Sequence, residues 1–335
     1  MVEKVLVTGI TGFLGKHIAL KLLAAGYQVC GTTRQLDRAE EVRDALRPHL
    51  SAEALLRLCF IEADLLSDTA WAAAMPGLTA VVHVAAPYAI GNPKDPQTLI
   101  RPAVEGTLRV LTMARAAGVM RVVMTSSTGA VLQPGRQDMQ DERDWADPDA
   151  PMTATANRAS ILAERAAWDY ATRAGMQLTV INAGLTLGPP LDRHFSASVG
   201  VVRRMLRGRD PMVAMVGVAL SDVRDVAEMH LRAVQRPATI GKRYIGAAGS
   251  MTLPDMARLL KRAYPNRRIA TMVAPRWLVQ VYKLWDPQIA AMMPLLYTMP
   301  RLSNLQARTD MDLTFIPPEE AVTAAAAWLV NAGAV

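Results

Sequence analysis

The sequence predicts an α/β protein: a doubly wound parallel sheet followed by a smaller, mostly helical C-terminal lobe. Over the first 185 residues, short apolar runs alternate with helical stretches, as expected of parallel strands that are covered on both faces. After about residue 186, a mostly helical pattern is broken by prolines. The predicted strands are Val5–Thr8, Gln28–Thr33, Leu58–Glu62, Ala80–Val84, Arg121–Thr125 and Leu178–Asn182. The predicted helices between them are Leu14–Ala25, Pro102–Ala117 and Ser160–Ala174.

The first predicted strand runs directly into a glycine-rich turn and a helix, in the segment VLVTGITGFLGKHIALKLLAAG. In such a unit the first glycine allows the tight turn, the second lets a pyrophosphate approach the backbone, and the third lets helix and strand pack closely. The free N–H groups at the start of the helix favour negative charge. The segment therefore predicts a Rossmann-type dinucleotide site rather than a turn alone. Its predicted cofactor contacts are Gly9, Thr11, Gly12, Phe13, Leu14 and Gly15.

The end of the second strand, CGTTRQLDR, indicates which dinucleotide binds. A cofactor with a free ribose 2′-hydroxyl calls for an acid here, but this sequence offers Arg34, with Arg38 a helical turn later. A guanidinium pairs with a 2′-phosphate. The sequence therefore favours NADP over NAD, the alternative being that Arg34 is only an exposed strand end.

Composition limits the partners of the chain. The 335 residues carry a formal net charge of +7, but the basic residues are scattered and aromatics make up only 5%, so no nucleic-acid partner is predicted. Cys30 and Cys59 have no metal-ligand spacing, so no metal is predicted, and both are expected to be core residues in a reducing cytosol. Without a leader or a run of about 18 apolar residues, we expect a cytoplasmic protein with no transmembrane segment.

Several segments carry a resemblance to a known family. They are TGITGFLG, EADLLSD, VVHVAAP, AVEGTLRVLTMARAAGVMRVVMTSST, DERDWADPD, LAERAAWDYA, GLTLGPPL and SDVRDVAEMHLRAV. Their order resembles that of extended short-chain dehydrogenases/reductases, in the NAD-dependent epimerase/dehydratase superfamily. The chain is similar to the dihydroflavonol-4-reductase and cinnamoyl-CoA-reductase-like branch over about residues 4–248. That branch resembles NADP users, in agreement with Arg34.

The resemblance implies roles for further residues. Ser127 matches the serine that hydrogen-bonds the substrate oxygen, with Ser126 as the alternative if the register differs by one. Gly184 matches the turn beside the nicotinamide, where Ala183 replaces the usual proline. Further cofactor contacts are implied for Asp64 and Leu65 at the adenine, and for Ala85, Ala86, Pro87 and Thr125 along the cofactor.

The helix that ends in LAERAAWDYA departs from the family. In the family that this chain resembles, a Tyr-x-x-x-Lys pair opens this helix. The tyrosine supplies a proton, and the lysine lowers the pKa of the tyrosine. In this chain Ala156 and Ser160 stand at the two positions. Loss of a positioned acid costs about 10²–10⁴ in rate. Tyr88 is the replacement acid that we predict, although an apolar pocket wall is the plainer interpretation. His194 is a weaker candidate.

Three functions follow from these residues. The first is an NADP-dependent oxidoreductase acting on a carbonyl or alcohol of an apolar small molecule, with an atypical proton route. The second is isomerase, dehydratase or lyase chemistry, and the third is a non-catalytic NADP-binding sensor or scaffold. Residues 1–185, with parts of 212–248, are expected to bind NADP, and residues 186–335 mainly the substrate.

Three segments suggest partners. Helices 102–117 and 160–174 resemble those that this family uses for homodimers. The segment 276–300 is rich in Trp, Met and Tyr. It predicts ordinary core helices, a lid over an apolar substrate, or a peripheral membrane or partner surface.

Overall fold

A computed structural model describes residues 2–335 except 87–92, 94, 134, 152, 286–292, 294 and 295. Its main sheet has seven strands in the order β3-β2-β1-β4-β5-β6-β9, all paired in parallel. The strands are β1 Lys4–Thr8, β2 Gln28–Thr33, β3 Leu58–Glu62, β4 Ala80–His83, β5 Arg121–Ser127, β6 Gln177–Ala183 and β9 Lys242–Ile245. This arrangement confirms the predicted doubly wound fold.

A second sheet has the order β10-β8-β7, with β10 antiparallel to β8. Its strands are β7 Leu185–Leu187, β8 Gly217–Asp222 and β10 Gly249–Thr252. The sequence analysis did not predict these strands or β9, because they are short and lie among helices and prolines.

Helices cover both faces of the main sheet and build most of the C-terminal part. They are α1 Phe13–Ala24, α2 Ala39–Leu46, α3 Ala52–Leu56, α4 Trp71–Ala74, α5 Gln97–Ala116, α6 Thr155–Ala174, α7 Ala197–Arg207, α8 Val223–Gln235, α9 Leu253–Ala263, α10 Arg276–Tyr282, α11 Leu305–Asp310 and α12 Pro318–Asn331. Helices α5 and α6 each begin five residues before the predicted start. Pro102 lies inside α5, and the apolar spacing of α6 becomes regular only from Ile161.

The carboxyl ends of the central strands meet at one edge of the main sheet. In the register, Thr8 pairs with His83 and Ser127 pairs with Ala183. Ligands of open α/β sheets bind in the crevice outside this edge. The fold therefore brings the glycine turn after β1 and the serines that end β5 to the same side of the molecule.

Three buried histidines predict that the fold loses stability in acid. Burial lowers the pKa values of His17, His83 and His230 from 6.5 to about 4, because it disfavours the charged imidazolium. Below pH 6.5 the unfolded chain therefore binds protons that the folded chain does not bind. The free energy of unfolding should fall as the pH drops from 6.5 to about 4, and urea titrations at a series of pH values measure it.

A single substitution tests this origin of acid sensitivity. Between pH 6.5 and about 4, the unfolded chain binds more protons than the folded chain. In His230→Gln this excess should be smaller by about one proton. Thr309→Ala changes an exposed, uncharged side chain and should leave the pH dependence as it is. An identical pH dependence in His230→Gln and the unmodified chain would contradict the explanation.

Candidate functional site

The turn after β1 forms a backbone cradle. Gly9 has a φ of +69°, in the left-handed region that favours glycine, and its carbonyl accepts the Gly12 N–H at 3.0 Å. A Cβ on Gly15 would lie 2.9 Å from the Ile10 Cα and closer still to the Gly9 carbonyl oxygen. Only glycine therefore lets α1 begin this close to the turn.

The start of α1 offers unpaired donors to an anion. Gly12 caps the helix without a side-chain hydrogen bond, so Phe13, Leu14 and Gly15 present N–H groups with no acceptor inside the helix. These donors and the helix dipole suit a pyrophosphate. Thr11 lies in the same turn and is partly exposed. The cradle therefore fits the phosphates of a dinucleotide.

The end of β2 supplies a cation next to this cradle. Arg34 is exposed, and within the part of the chain that the structure describes it makes no ion pair. Arg38 differs, because its Nε bonds Glu41 Oε2 at 3.2 Å. Arg34 is therefore the guanidinium that remains available to an anionic ligand.

The segment after β3 is held in a fixed turn. Asp64 Oδ1 accepts the Leu66 N–H at 2.9 Å, and the Asp64 carbonyl accepts the Trp71 indole N–H at 2.8 Å. A Cβ on Gly106 would lie 3.0 Å from the Leu65 Cβ, so α5 packs closely on Leu65. Asp64 and Leu65 thus occupy a rigid position beyond the sheet edge.

Sequence analysis missed a buried lysine on α1. Lys16 is 2% exposed and pairs with Asp192, in the segment that follows β7. His194 is exposed and lies 3.6 Å from Glu41 and 3.9 Å from Asp192. This position is next to α1 and α2, and His194 does not line the cavity described below.

A cavity of about 280 Å³ opens beside the ends of β4 and β5. Its walls come from β4 and the residues after it, from α5, from β5 and from the first turns of α6. Its described lining contains no carboxylic acid, lysine or tyrosine. The lining residues are His83, Ala85, Ala86, Leu99, Ala103, Thr107, Met124, Thr125, Ser126, Ser127, Ala156, Asn157, Ala159, Ser160 and Ala163.

The two serines at the end of β5 differ in their partners. Ser126 Oγ donates to Glu164 Oε2 at 2.6 Å, so its proton is already used inside the protein. Ser127 Oγ accepts the Gly129 N–H at 3.0 Å, which leaves its own hydrogen free. Ser127 is therefore the hydroxyl that can donate to a bound oxygen atom.

The partners of His83 determine its tautomer. Thr8 Oγ1 accepts the N–H groups of Val84 and Ala85, both at 3.0 Å, so its hydrogen goes to His83 Nδ1 at 2.9 Å. His83 Nε2 therefore carries the hydrogen and donates to Thr107 Oγ1 at 3.3 Å. Burial lowers the pKa of His83 to about 4, so the ring is neutral at physiological pH.

A buried carboxylate supports this wall of the cavity. Glu164 is fully buried on α6 and accepts hydrogen bonds from Ser126, from Asn182 Nδ2 at 2.7 Å and from Arg243 Nε at 2.6 Å. Asn182 also donates to the Ser127 carbonyl at 3.2 Å. The network joins β5, α6, β6 and β9. Sequence reasoning missed it, since its members are far apart in the chain.

The two positions that are predicted to depart from the family line the cavity. Ala156 and Ser160 both do so, and Ser160 Oγ donates to the Ala156 carbonyl at 3.1 Å. The Ser160 hydroxyl thus bonds its own helix, four residues back. The predicted residues Pro87 and Tyr88 lie outside the described residues.

Three more predicted cofactor contacts lie in strands or directly after one. Thr125 Oγ1 bonds His230 Nε2 at 2.8 Å, so its side chain is used within the fold. Ala183 is buried opposite Ser127. Gly184 donates its N–H to Ser221 Oγ at 2.8 Å, and a Cβ there would strike the Ala219 backbone. Gly184 therefore also has a purely structural reason to be glycine.

Fold and site together define the class of protein. The model of the NAD dependent epimerase/dehydratase family matches residues 5–246, and the chain belongs to that family. This match confirms the resemblance to extended short-chain dehydrogenases/reductases.

The relatives include plant reductases. The chain is 36% identical over 275 residues to cinnamoyl-CoA reductase 1 of Petunia hybrida, covering 80% of each. It is 32% identical over 271 residues to dihydroflavonol 4-reductase of Zea mays, covering 78% of this chain and 74% of that one. The crystal structure of yeast Gre2, a methylglyoxal/isovaleraldehyde reductase complexed with NADPH, matches with a TM-score of 0.81 at 23% identity. The match covers 99% of this chain and 100% of that chain.

Two features are absent from the described residues. No helix among them has the length and apolar character needed to cross a membrane. No group of three or more His, Cys, Asp or Glu side chains in that part of the chain is arranged to hold a metal ion.

The cradle predicts different outcomes for two helical glycines. Gly15→Ala forces a Cβ onto the Gly9–Ile10 backbone, so it should lower the free energy of unfolding by about 1–3 kcal/mol and weaken NADPH binding. Gly200→Ala lies inside α7 with open space around it, so it should stabilise by about 0.5–1 kcal/mol and leave binding unchanged. Urea unfolding and calorimetric titration measure both effects. Equal NADPH affinities in the two variants would refute the role of Gly15.

Proposed function

We propose that the chain is an NADP-dependent oxidoreductase that acts on a carbonyl or alcohol group of an apolar small molecule. The observation that carries the proposal is the free Ser127 hydroxyl in a cavity at the same sheet edge as the glycine cradle. The names of the plant and yeast relatives support this class of reaction.

NADP, rather than NAD, is proposed because Arg34 stands unpaired at the end of β2. The Gly9–Gly15 turn would hold the pyrophosphate, Arg34 the 2′-phosphate, and the Asp64–Leu65 turn the adenine. When bound, the nicotinamide supplies or accepts a hydride. Residues 1–185 with parts of 212–248 would bind this cofactor, and residues 186–335 mainly the substrate.

The protein's own contribution to the reaction is polarisation of the substrate oxygen. Ser127 donates its hydroxyl hydrogen to the carbonyl oxygen and stabilises the charge that develops there. The neutral His83 adds an Nε2–H donor to the cavity wall, shared with Thr107. Because the described lining holds no stronger acid, we propose that water delivers the final proton. Tyr88 stays the alternative donor that the sequence predicts.

The substrate class follows from the lining of the cavity. Alanine, leucine and methionine side chains make up more than half of its described residues, and its polar groups are neutral. Such a cavity favours an apolar ligand with one or two hydrogen-bonding groups. A homodimer through α5 and α6 and a cytoplasmic location belong to the same proposal.

The cofactor assignment is tested by titration with NADPH and NADH side by side. Arg34→Ala should weaken NADPH binding about 10- to 100-fold, since it removes a charge-assisted hydrogen bond to the 2′-phosphate, and should leave NADH binding unchanged. Arg173→Ala, exposed at the far end of α6, is the matched control. Equal loss of both cofactors in Arg34→Ala would argue against a 2′-phosphate contact.

Catalysis is tested by NADPH oxidation with an aromatic aldehyde such as cinnamaldehyde. Ser127→Ala should lower kcat/KM about 10²- to 10³-fold, the usual loss for one donor to a developing oxyanion. Thr309→Ala removes an exposed hydroxyl on α11 and should retain full activity. Full activity in Ser127→Ala would exclude the proposed role.

A second candidate, NADP binding without turnover, is favoured by Ala156 and Ser160. Ala156→Tyr with Ser160→Lys separates the two, because both positions line the cavity. Reductase activity that appears only in this double variant supports the non-catalytic candidate for the unmodified chain. If the unmodified chain is active and the double variant is not, the open space at Ala156 is part of the active site. Turnover without net NADPH oxidation would instead indicate isomerase, dehydratase or lyase chemistry.

A further inference from the structure

An apolar stripe faces outward from the α10 region. Trp277, Val281, Leu284 and Trp285 are exposed by 68%, 39%, 70% and 74%. Trp277 and Val281 lie one turn apart on α10, and Leu284 and Trp285 lie in the turn that directly follows it. Val279, which lies between them in sequence, is buried on the other side. We call these four exposed residues the α10 stripe.

Exposed apolar surface is concentrated around this stripe. Of the thirteen large apolar side chains that are exposed in the described part of the chain, seven lie between Met272 and Met299. The chain has six tryptophans, and only Trp277 and Trp285 are exposed. Large apolar patches on a protein surface mark sites of interaction.

The fold holds the base of this region in place. The Val213 N–H donates to the Met272 carbonyl at 2.9 Å, and the Ala274 N–H donates to the Val213 carbonyl at 2.8 Å. From the other side, the Tyr297 N–H donates to the Met215 carbonyl at 2.7 Å. Main-chain bonds thus attach both flanks of the region to the segment 213–217. The exposure of the stripe is therefore built into the tertiary structure.

The charge next to the stripe is mainly positive. From Met256 to Trp285 the sequence contains seven basic residues and no acidic one, and Asp286 follows Trp285 directly. Two of these, Arg276 and Lys283, are exposed directly beside the stripe. The surface therefore combines apolar side chains with a positive rim, which complements a partner that is apolar inside and negative at its surface.

We propose that the α10 stripe docks the protein onto an anionic lipid bilayer. Tryptophan rings favour the boundary between headgroups and acyl chains, so Trp277 and Trp285 would enter that layer with Leu284. Arg276 and Lys283 would stay at the level of the lipid phosphates. This docking is independent of the proposed reaction and of the glycine cradle.

A second copy of the chain is a poorer occupant of this surface. A twofold contact would bring Arg276 and Lys283 of both copies together, and like charges across an interface oppose association. A lipid surface offers the opposite charge and needs no matching shape.

Vesicle sedimentation with the full chain tests the proposal. The protein should bind vesicles of phosphatidylcholine mixed with phosphatidylglycerol, and bind much less to phosphatidylcholine alone. Trp277→Ser with Trp285→Ser should reduce binding at least about tenfold. Arg276→Gln with Lys283→Gln should reduce it about fivefold per charge removed. Leu56→Ser with Leu305→Ser, two exposed leucines elsewhere, is the matched control and should bind as the unmodified chain does.

Three results would overturn the proposal. One is failure to bind the anionic vesicles, and another is binding that the double tryptophan variant leaves unchanged. The third is a dimer that sedimentation velocity detects and that the double tryptophan variant abolishes, in a protein that does not bind vesicles. That result would assign the stripe to a second copy of the chain. Unchanged NADPH affinity and unfolding midpoint in each variant show that the fold is intact.

Discussion

The geometry of the site depends on the hydrogen bonds that the buried Glu164 carboxylate accepts. It is fully buried and accepts hydrogen bonds from Ser126, Asn182 and Arg243 at 2.6–2.7 Å. Arg243 in turn donates to the carbonyls of the segment 142–144 and lies over the Trp145 ring, 3.8 Å from its centroid. Removing one partner of such a pair would leave an uncompensated buried charge, which typically costs about 3–5 kcal/mol. The position of α6 against β5 and β6 is therefore strongly fixed.

This constraint explains why a cavity exists between the first turns of α6 and β5. Small residues at 156, 159, 160 and 163 would let a free helix move toward β5 and fill the space. Glu164 prevents that movement, because it lies one turn beyond Ser160 and is bonded to three strands of the sheet. The small side chains of Ala156 and Ser160 thus leave open volume next to Ser127.

Local patterns explain what could be predicted from sequence. The Gly9–Gly15 turn and Arg34 each follow a strand directly. The local sequence was therefore enough to predict where they lie in the fold. The choice of Ser127 over Ser126 depended on the family alignment, and the structure adds a physical reason in the Ser126–Glu164 bond.

Pairings between distant residues explain what could not be predicted. Arg243 is 79 residues from Glu164, and His83 is 75 residues from Thr8, so no spacing rule links them. His83 and Glu164 are both buried, and burial alone would fit an ordinary place in the core. Only the three-dimensional contacts show that both support the walls of the cavity.

The electrostatics of the cavity limit the chemistry that it can support. A lysine at position 160 would bring a positive charge to α6. Ser160 brings no charge, and its hydroxyl donates a hydrogen bond to the Ala156 carbonyl. His83 does not replace that charge, because a pKa of about 4 keeps it neutral. In the proposed reaction, stabilisation of a developing oxyanion would therefore fall to the Ser127 hydroxyl, which accepts the Gly129 N–H. Such a site would favour substrates whose carbonyl is already reactive, since it would offer orientation and a neutral wall rather than a strong acid.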